Sequence, residues 1–136
     1  MIYLTRIEHF NAAHKLYNPV LTLEENNAIF GICANSNWHG HNYTLHVTVK
    51  GLVNPQTGFI FDVKKLSQII VENIIDKLDH KNLNLDVPFM KDKLCSSENL
   101  VIGIWHELNK YLPKEILLHC IKLYETDSIY ITYYGE

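Results

Sequence analysis

At 136 residues, with 47% hydrophobic and 20% charged residues, the chain has the make-up of one ordinary folded domain, residues 1–136, with a core of normal size. A net charge of −3 and a single arginine, Arg6, exclude a broad basic field, so no nucleic-acid or membrane partner is expected. No apolar run approaches the roughly 20 residues of a membrane span. The first residues lack a signal-peptide pattern, and three widely spaced cysteines fit reduced thiols better than a disulfide framework, so a cytoplasmic protein is expected.

Residues 2–13 mix β-branched and aromatic residues with polar ones and read as a long strand of imperfect alternation, ending in Phe10-Asn11-Ala12-Ala13-His14. Residues 15–38 look irregular, with a short helical turn around Leu23 to Phe30. A loop this long inside a compact domain is usually functional or disordered. This one connects His14 to Cys33 and His39, which favours function. Residues 42–50 alternate cleanly, with Tyr43, Leu45, Val47 and Val49 on an apolar face and Asn42, Thr44, His46, Thr48 and Lys50 on a polar one. His39 and His41 share the apolar parity. His46 has the other and is expected to be exposed.

Asp62 is placed to cap a helix over 63–78 whose apolar stripe is Val63, Leu66, Ile70, Ile74 and Leu78. Polar Asp79-His80-Lys81-Asn82 closes it. Ser96 or Ser97 caps a second helix with the stripe Leu100, Ile104, Leu108 and Leu112, ended by Pro113. Residues 116–125 and 128–134 read as a hairpin around Thr126-Asp127. Within it Leu117, His119, Ile121 and Leu123 form a mostly apolar face that ends in Glu125. The order strand, strand, helix, helix, strand, strand predicts an α+β fold, an antiparallel sheet with two helices on one face. Pairing of the first two strands across the long loop would bring His14 to the start of the second.

The chemistry gathers in Phe30–Tyr43. In an extended segment the side chains of His39 and His41 point the same way, and Gly40 between them lets the backbone approach or bend. With His14 they offer three ligands and an open position, the pattern of a catalytic zinc site. A closed structural zinc with Cys33 as fourth ligand has the same spacing, and any one of the eight histidines taken alone is an ordinary polar residue. Cys95 and Cys120 read as small buried hydrophobes. Cys33 differs: it sits in a Gly- and Asn-rich run beside the expected cation, which favours the thiolate and a role as general base. Asp79-His80 is either a polar helix end or a carboxylate orienting an imidazole for proton transfer. Glu125 on an apolar face needs a partner, such as an amino-substituted heterocycle, unless it simply faces water at a strand end.

These residues resemble the 6-pyruvoyl-tetrahydropterin synthase family over nearly the whole chain. The resemblance rests on Phe10-Asn11-Ala12-Ala13-His14, Cys33 followed by His39-Gly40-His41-Asn42-Tyr43, Leu78-Asp79-His80-Lys81-Asn82-Leu83, Ser96-Ser97-Glu98-Asn99-Leu100 and Tyr124-Glu125-Thr126. It implies the tunnelling fold (T-fold), ββααββ, in which subunits close a barrel and two trimers stack into a homohexamer with active sites between subunits. It implies Zn2+ held by His14, His39 and His41. It implies proton transfer by Cys33 and by Asp79 and His80, the pair coming from a neighbouring subunit. Glu125 would anchor the pterin ring, with Ser97, Glu98 and Thr126 lining its pocket and Lys15 touching the triphosphate.

The implied reaction is elimination of triphosphate from 7,8-dihydroneopterin triphosphate to give 6-pyruvoyl-tetrahydropterin. The related 6-carboxytetrahydropterin synthases of queuosine biosynthesis use the same substrate and release acetaldehyde. Their pattern has a shorter spacer between cysteine and His-Gly-His than the five residues from Ala34 to Trp38 here, which favours the pyruvoyl product. A non-catalytic zinc-binding module is the reading from outside the enzymes.

Overall fold

A computed structural model describes residues 1–136. Strands β1 (Ile2–His14) and β2 (His39–Gly51) pair antiparallel along their full length, from Ile2 opposite Gly51 to His14 opposite His39. β2 also pairs with β4 (Leu117–Thr126), and β4 with β5 (Ile129–Tyr133). A two-residue strand, β3 (Lys81–Asn82), joins β1 in parallel, giving the order β3-β1-β2-β4-β5. The sheet is therefore mixed, where the sequence predicts a purely antiparallel one. The cause is a need for backbone partners at the edge of β1. His80 N–H donates to Asn11 O at 2.6 Å and Leu83 N–H to Ala13 O at 2.8 Å, satisfying carbonyls that no other strand covers.

A helical segment begins at α2 (Val63–Ile70), passes through a π-turn (Val71–Ile75) and ends in α3 (Asp76–Leu78). With α4 (Ser97–Leu108) it covers one face of the sheet. Asp62 caps α2 by accepting from Lys64 N–H, and Ser96 caps α4 by accepting from Asn99 N–H. Leu66, Ile70, Ile74 and Leu78 are fully buried, but Val63 is 47% exposed and only begins the stripe. The wider π-turn brings Ile75 inward beside Ile74, a shift that a strict helical period does not foresee. α4 ends at Leu108, so Leu112 packs on the core from the loop beyond the helix. A further helix, α1 (Leu23–Phe30), lies within the β1–β2 excursion where a short helical turn over the same residues was expected.

Phe10 and Ala12 of β1 and Tyr43, Leu45, Val47 and Val49 of β2 form the inner face, each at most 3% exposed. The outer face is mixed, with Asn42, Thr44, His46, Thr48 and Lys50 of β2 beside exposed Tyr3 and Ile7 of β1. His46 on that face is half-buried rather than exposed, because its ring lies 5.3 Å from that of Tyr124 on β4. Its pKa is lowered, first by that burial and then by Lys122 and His9. Cys120 is also half-buried, on the outer face opposite Thr48, and is not a core thiol as Cys95 is.

β4 departs from simple alternation. Its register against β2 slips between Cys120 and Leu118. Leu118, Ile121 and Leu123 therefore turn inward, while Leu117 is exposed and His119 is only half-buried, not the facing that alternation predicts. A second slip against β5, between Tyr124 and Thr126, leaves Glu125 as an unpaired bulge residue near the inner end of the sheet. The tight turn is Asp127–Ser128, one residue later than expected. No helix is long and apolar enough to cross a membrane.

Candidate active site

The β1–β2 register builds the site. His14 lies opposite His39 and Ala12 opposite His41, so three histidines share the inner face within two steps of the ladder. Their ring centroids are 4.5 Å (His14–His39), 5.1 Å (His14–His41) and 5.2 Å (His39–His41) apart. One ligand nitrogen from each lies within 4.8 Å of the others. Gly40 makes the approach possible: a Cβ there would stand 2.7 Å from the Ala12 carbonyl oxygen, forcing the strands apart.

The donor set fits a zinc ion. His14 Nε2, His39 Nδ1 and His41 Nε2 are buried without hydrogen-bond partners, a costly arrangement unless a cation takes their lone pairs. His14 Nδ1 lies 2.7 Å from the Cys95 carbonyl oxygen and donates to it, which leaves Nε2 as the free lone pair. Burial is the first cause lowering the pKa of each of the three, which favours the neutral imidazole that a metal requires.

The excursion between β1 and β2 places the thiol. Asn26, fully buried, donates its amide to the carbonyls of Asn18, Leu21 and Thr22 and accepts from Asn18 N–H. One side chain thus satisfies four backbone groups and holds the loop. α1 opens on a Thr22–Glu25 capping box and runs into a tight turn, Gly31–Ala34, that carries Cys33. Leu16 N–H donates to Cys33 O at 2.8 Å, tying that turn back to the strand end beside His14.

His14, His39, Cys33, Ser97, Glu98 and Glu125 line one cavity of about 190 Å³. Ser97, buried in the first turn of α4, donates to Glu125 Oε2. Glu125 Oε1 lies 3.4 Å from His41 Nε2. The largest cavity, about 690 Å³ between Phe59, Lys65 and Tyr111, contains no histidine or cysteine, so size and chemistry do not coincide.

Asp79, His80, Thr126 and Lys15 are not in the histidine cavity. Asp79 borders a shallow pocket on the other side of β1, next to His9, Asn11 and Asn42. Its pKa is held down first by Asn11 N–H, which donates to Oδ1 at 2.8 Å, and then by His80, whose Nδ1 lies 3.0 Å from Oδ2. His80 adopts a left-handed φ of 59° with 84% of its side chain exposed. Thr126 closes the hairpin, its hydroxyl accepting from Ser128 and Ile129 N–H. Lys15 Nζ stands 4.4 Å from the Trp38 ring centroid and 5.3 Å from that of Tyr17. Sequence reasoning missed Asn26, the Cys95 carbonyl and the Asn11 clamp. An uncharged amide in a Glu-Glu-Asn-Asn run and two backbone groups leave no pattern to read.

The sequence model of the 6-pyruvoyl tetrahydropterin synthase family matches residues 3–136. The 6-pyruvoyl tetrahydrobiopterin synthase of Homo sapiens is 44% identical over 127 residues, 93% of this chain and 87% of the relative. That of Dictyostelium discoideum is 44% identical over 135 residues, 99% of this chain and 97% of the relative. The solved Caenorhabditis elegans 6-pyruvoyl tetrahydropterin synthase superimposes with a TM-score of 0.92 at 36% identity, covering 99% of this chain and 96% of the other. Near-complete coverage in sequence and in fold, around three inward histidines and a cavity thiol, makes this chain a member of the 6-pyruvoyl tetrahydropterin synthase family.

Proposed function

We propose that the chain is a zinc-dependent lyase that converts 7,8-dihydroneopterin triphosphate to 6-pyruvoyl-tetrahydropterin and triphosphate. The observation that carries this is a cluster of three histidine nitrogens without partners beside a cavity that His14 and His39 line together with a free thiol and a carboxylate at a strand bulge. Zinc held by His14, His39 and His41 would supply Lewis-acid polarisation of the substrate's side-chain hydroxyls, making the adjacent C–H bonds more acidic. Glu125 accepts from the pterin ring's N–H groups and fixes its orientation, with Ser97, Glu98 and Thr126 beside it. Lys15 serves the triphosphate. Cys33 takes a proton from a side-chain carbon and a proton returns to the ring, so the ring is reduced as the side chain is oxidised. A second proton removal expels triphosphate from the terminal carbon, and the enol left behind tautomerises to the second ketone. Atoms and electrons balance within the substrate.

Asp79 and His80 form the partner acid and base, supplied by a neighbouring copy in a homohexamer of two trimers. Two facts support supply from another chain. The pair lies outside the cavity of its own chain, and about 190 Å³ is below the roughly 300 Å³ at which ligand pockets begin. Inactive Cys33→Ala and His80→Ala chains, unfolded and refolded together in equal amounts, are therefore expected to recover on the order of a quarter of wild-type turnover, since random mixing leaves both halves intact at that share of sites. No recovery in proven mixed oligomers would place both halves on one chain.

The decisive experiment is mass spectrometry of the product from 7,8-dihydroneopterin triphosphate. A pyruvoyl product with free triphosphate is expected. A carboxy product with acetaldehyde would assign the chain to the queuosine-type reaction. Unchanged substrate with fully metal-loaded protein would overturn the lyase reading.

A further inference from the structure

The carbonyl that orients His14 belongs to a segment with little backbone support. Residues 94–96 lie outside helix and strand, and neither Leu94 nor Cys95 takes part in a hydrogen bond between backbone groups. Yet the Cys95 carbonyl accepts from His14 Nδ1 at 2.7 Å in the interior. That bond decides which ring nitrogen of His14 keeps its lone pair. A carbonyl that sets a ligand must itself be held in place.

Asn99 holds it from both sides. Its side-chain amide donates to Leu94 O at 2.9 Å, and its backbone N–H donates to Ser96 Oγ at 3.2 Å. The first bond fixes the peptide before Cys95 and the second fixes the residue after it. The Cys95 side chain, 1% exposed, is anchored in the core between them. The residue type is informative. Asn99 is the third residue of α4, where a capping box places Glu or Gln, as Glu25 stands in α1. A carboxylate there accepts from the N–H of the cap residue, but it cannot donate to a carbonyl. Asparagine is also a poor helix former. An amide donor at this place serves the loop before the helix more than the helix itself.

We propose that Asn99 is a positioning residue that clamps residues 94–96, fixes the Cys95 carbonyl and so holds His14 Nε2 toward the metal. This rests on the reading of His14, His39 and His41 as a zinc centre given above. The test is the Kd of the metal-free protein for Zn2+, measured by competition with a chromophoric chelator. Asn99→Asp keeps the size, puts a favourable charge at the helix N-terminus and removes the donor. It is expected to bind zinc about 10-fold more weakly, the low end of the cost of disturbing a ligand's hydrogen-bond partner. That loss comes in spite of an added negative charge, and with an unchanged or higher Tm of the metal-free protein. Asn99→Ala, which adds no charge, is expected to lose affinity to a similar extent. In a His14→Ala background Asn99→Asp costs nothing further, because Asn99 acts through His14. Wild-type zinc affinity in both Asn99 variants, an equal loss with and without His14, or a lowered metal-free Tm in Asn99→Asp would each overturn the proposal. Failure of the wild-type protein to bind zinc sinks instead the metal centre, and this proposal with it.

Discussion

Replacing Cys33 with alanine is expected to leave metal binding in place and to lower turnover by about 10³-fold, within the range that a positioned acid or base supplies. The geometry separates these outcomes. Three nitrogens without partners come from β1 and β2 alone, while Cys33 arrives on the tight turn after α1, held by Leu16 N–H through its backbone. Truncating the side chain removes no backbone bond and no histidine. Metal content by plasma mass spectrometry, together with phosphate analysis of single turnovers, reads both quantities. Loss of metal with loss of turnover would make Cys33 a fourth ligand and the centre a closed structural one.

Replacing His39 with alanine is expected to do the opposite, emptying the centre and with it removing turnover by 10³-fold or more. Two histidines remain, and their burial disfavours protonation without supplying a third ligand. The thermal midpoint supplies a readout independent of catalysis. A metal that binds only the folded chain stabilises it in proportion to the logarithm of its concentration over its Kd. Chelation therefore lowers Tm in the wild-type protein and leaves Tm unchanged in His39→Ala. Wild-type metal affinity in the variant would show that the three nitrogens do not act as a set. Pterin chemistry at this place would then need a different centre.

The half of the fold set by local chemistry was legible in the sequence. Asp62 and Ser96 cap the helices expected of them, and the clean alternation of Tyr43 to Val49 puts the core on the right face. The same parity carries back to His39 and His41, which is why the clustering of these histidines with His14 could be read from the sequence. What escaped depends on events between strands. The slip at Cys120 reverses the facing of Leu117 and His119, yet leaves no mark in the residues themselves, since a bulge is a relation between two strands. The parallel pair Lys81–Asn82 on Ala12–Ala13 is a contact between distant stretches, and the sequence shows only a polar helix end there. His46 reads as exposed because its shelter is an aromatic ring on β4. Asp79 and His80 stood even between structural and functional readings from the residues alone. One chain does not bring them to the thiol, because Asp79 borders a different pocket.

The end of β1 does two jobs within the four residues from Asn11 to His14. Facing inward, His14 belongs to the histidine cluster of its own chain. Through its backbone, Asn11 grips Asp79 and His80 from both ends. In a ring where that pair serves the next subunit, one damaged stretch spoils two cavities. The consequence is genetic. A lesion at Cys33 silences only the cavity of the chain that carries it, and normal chains in the same ring keep theirs. A lesion that shifts Asn11–His14 also disables a cavity whose metal and thiol are intact, so a mixed population loses more activity than its share of altered chains. Alleles in this stretch should behave as partly dominant, and alleles at Cys33 as closer to recessive.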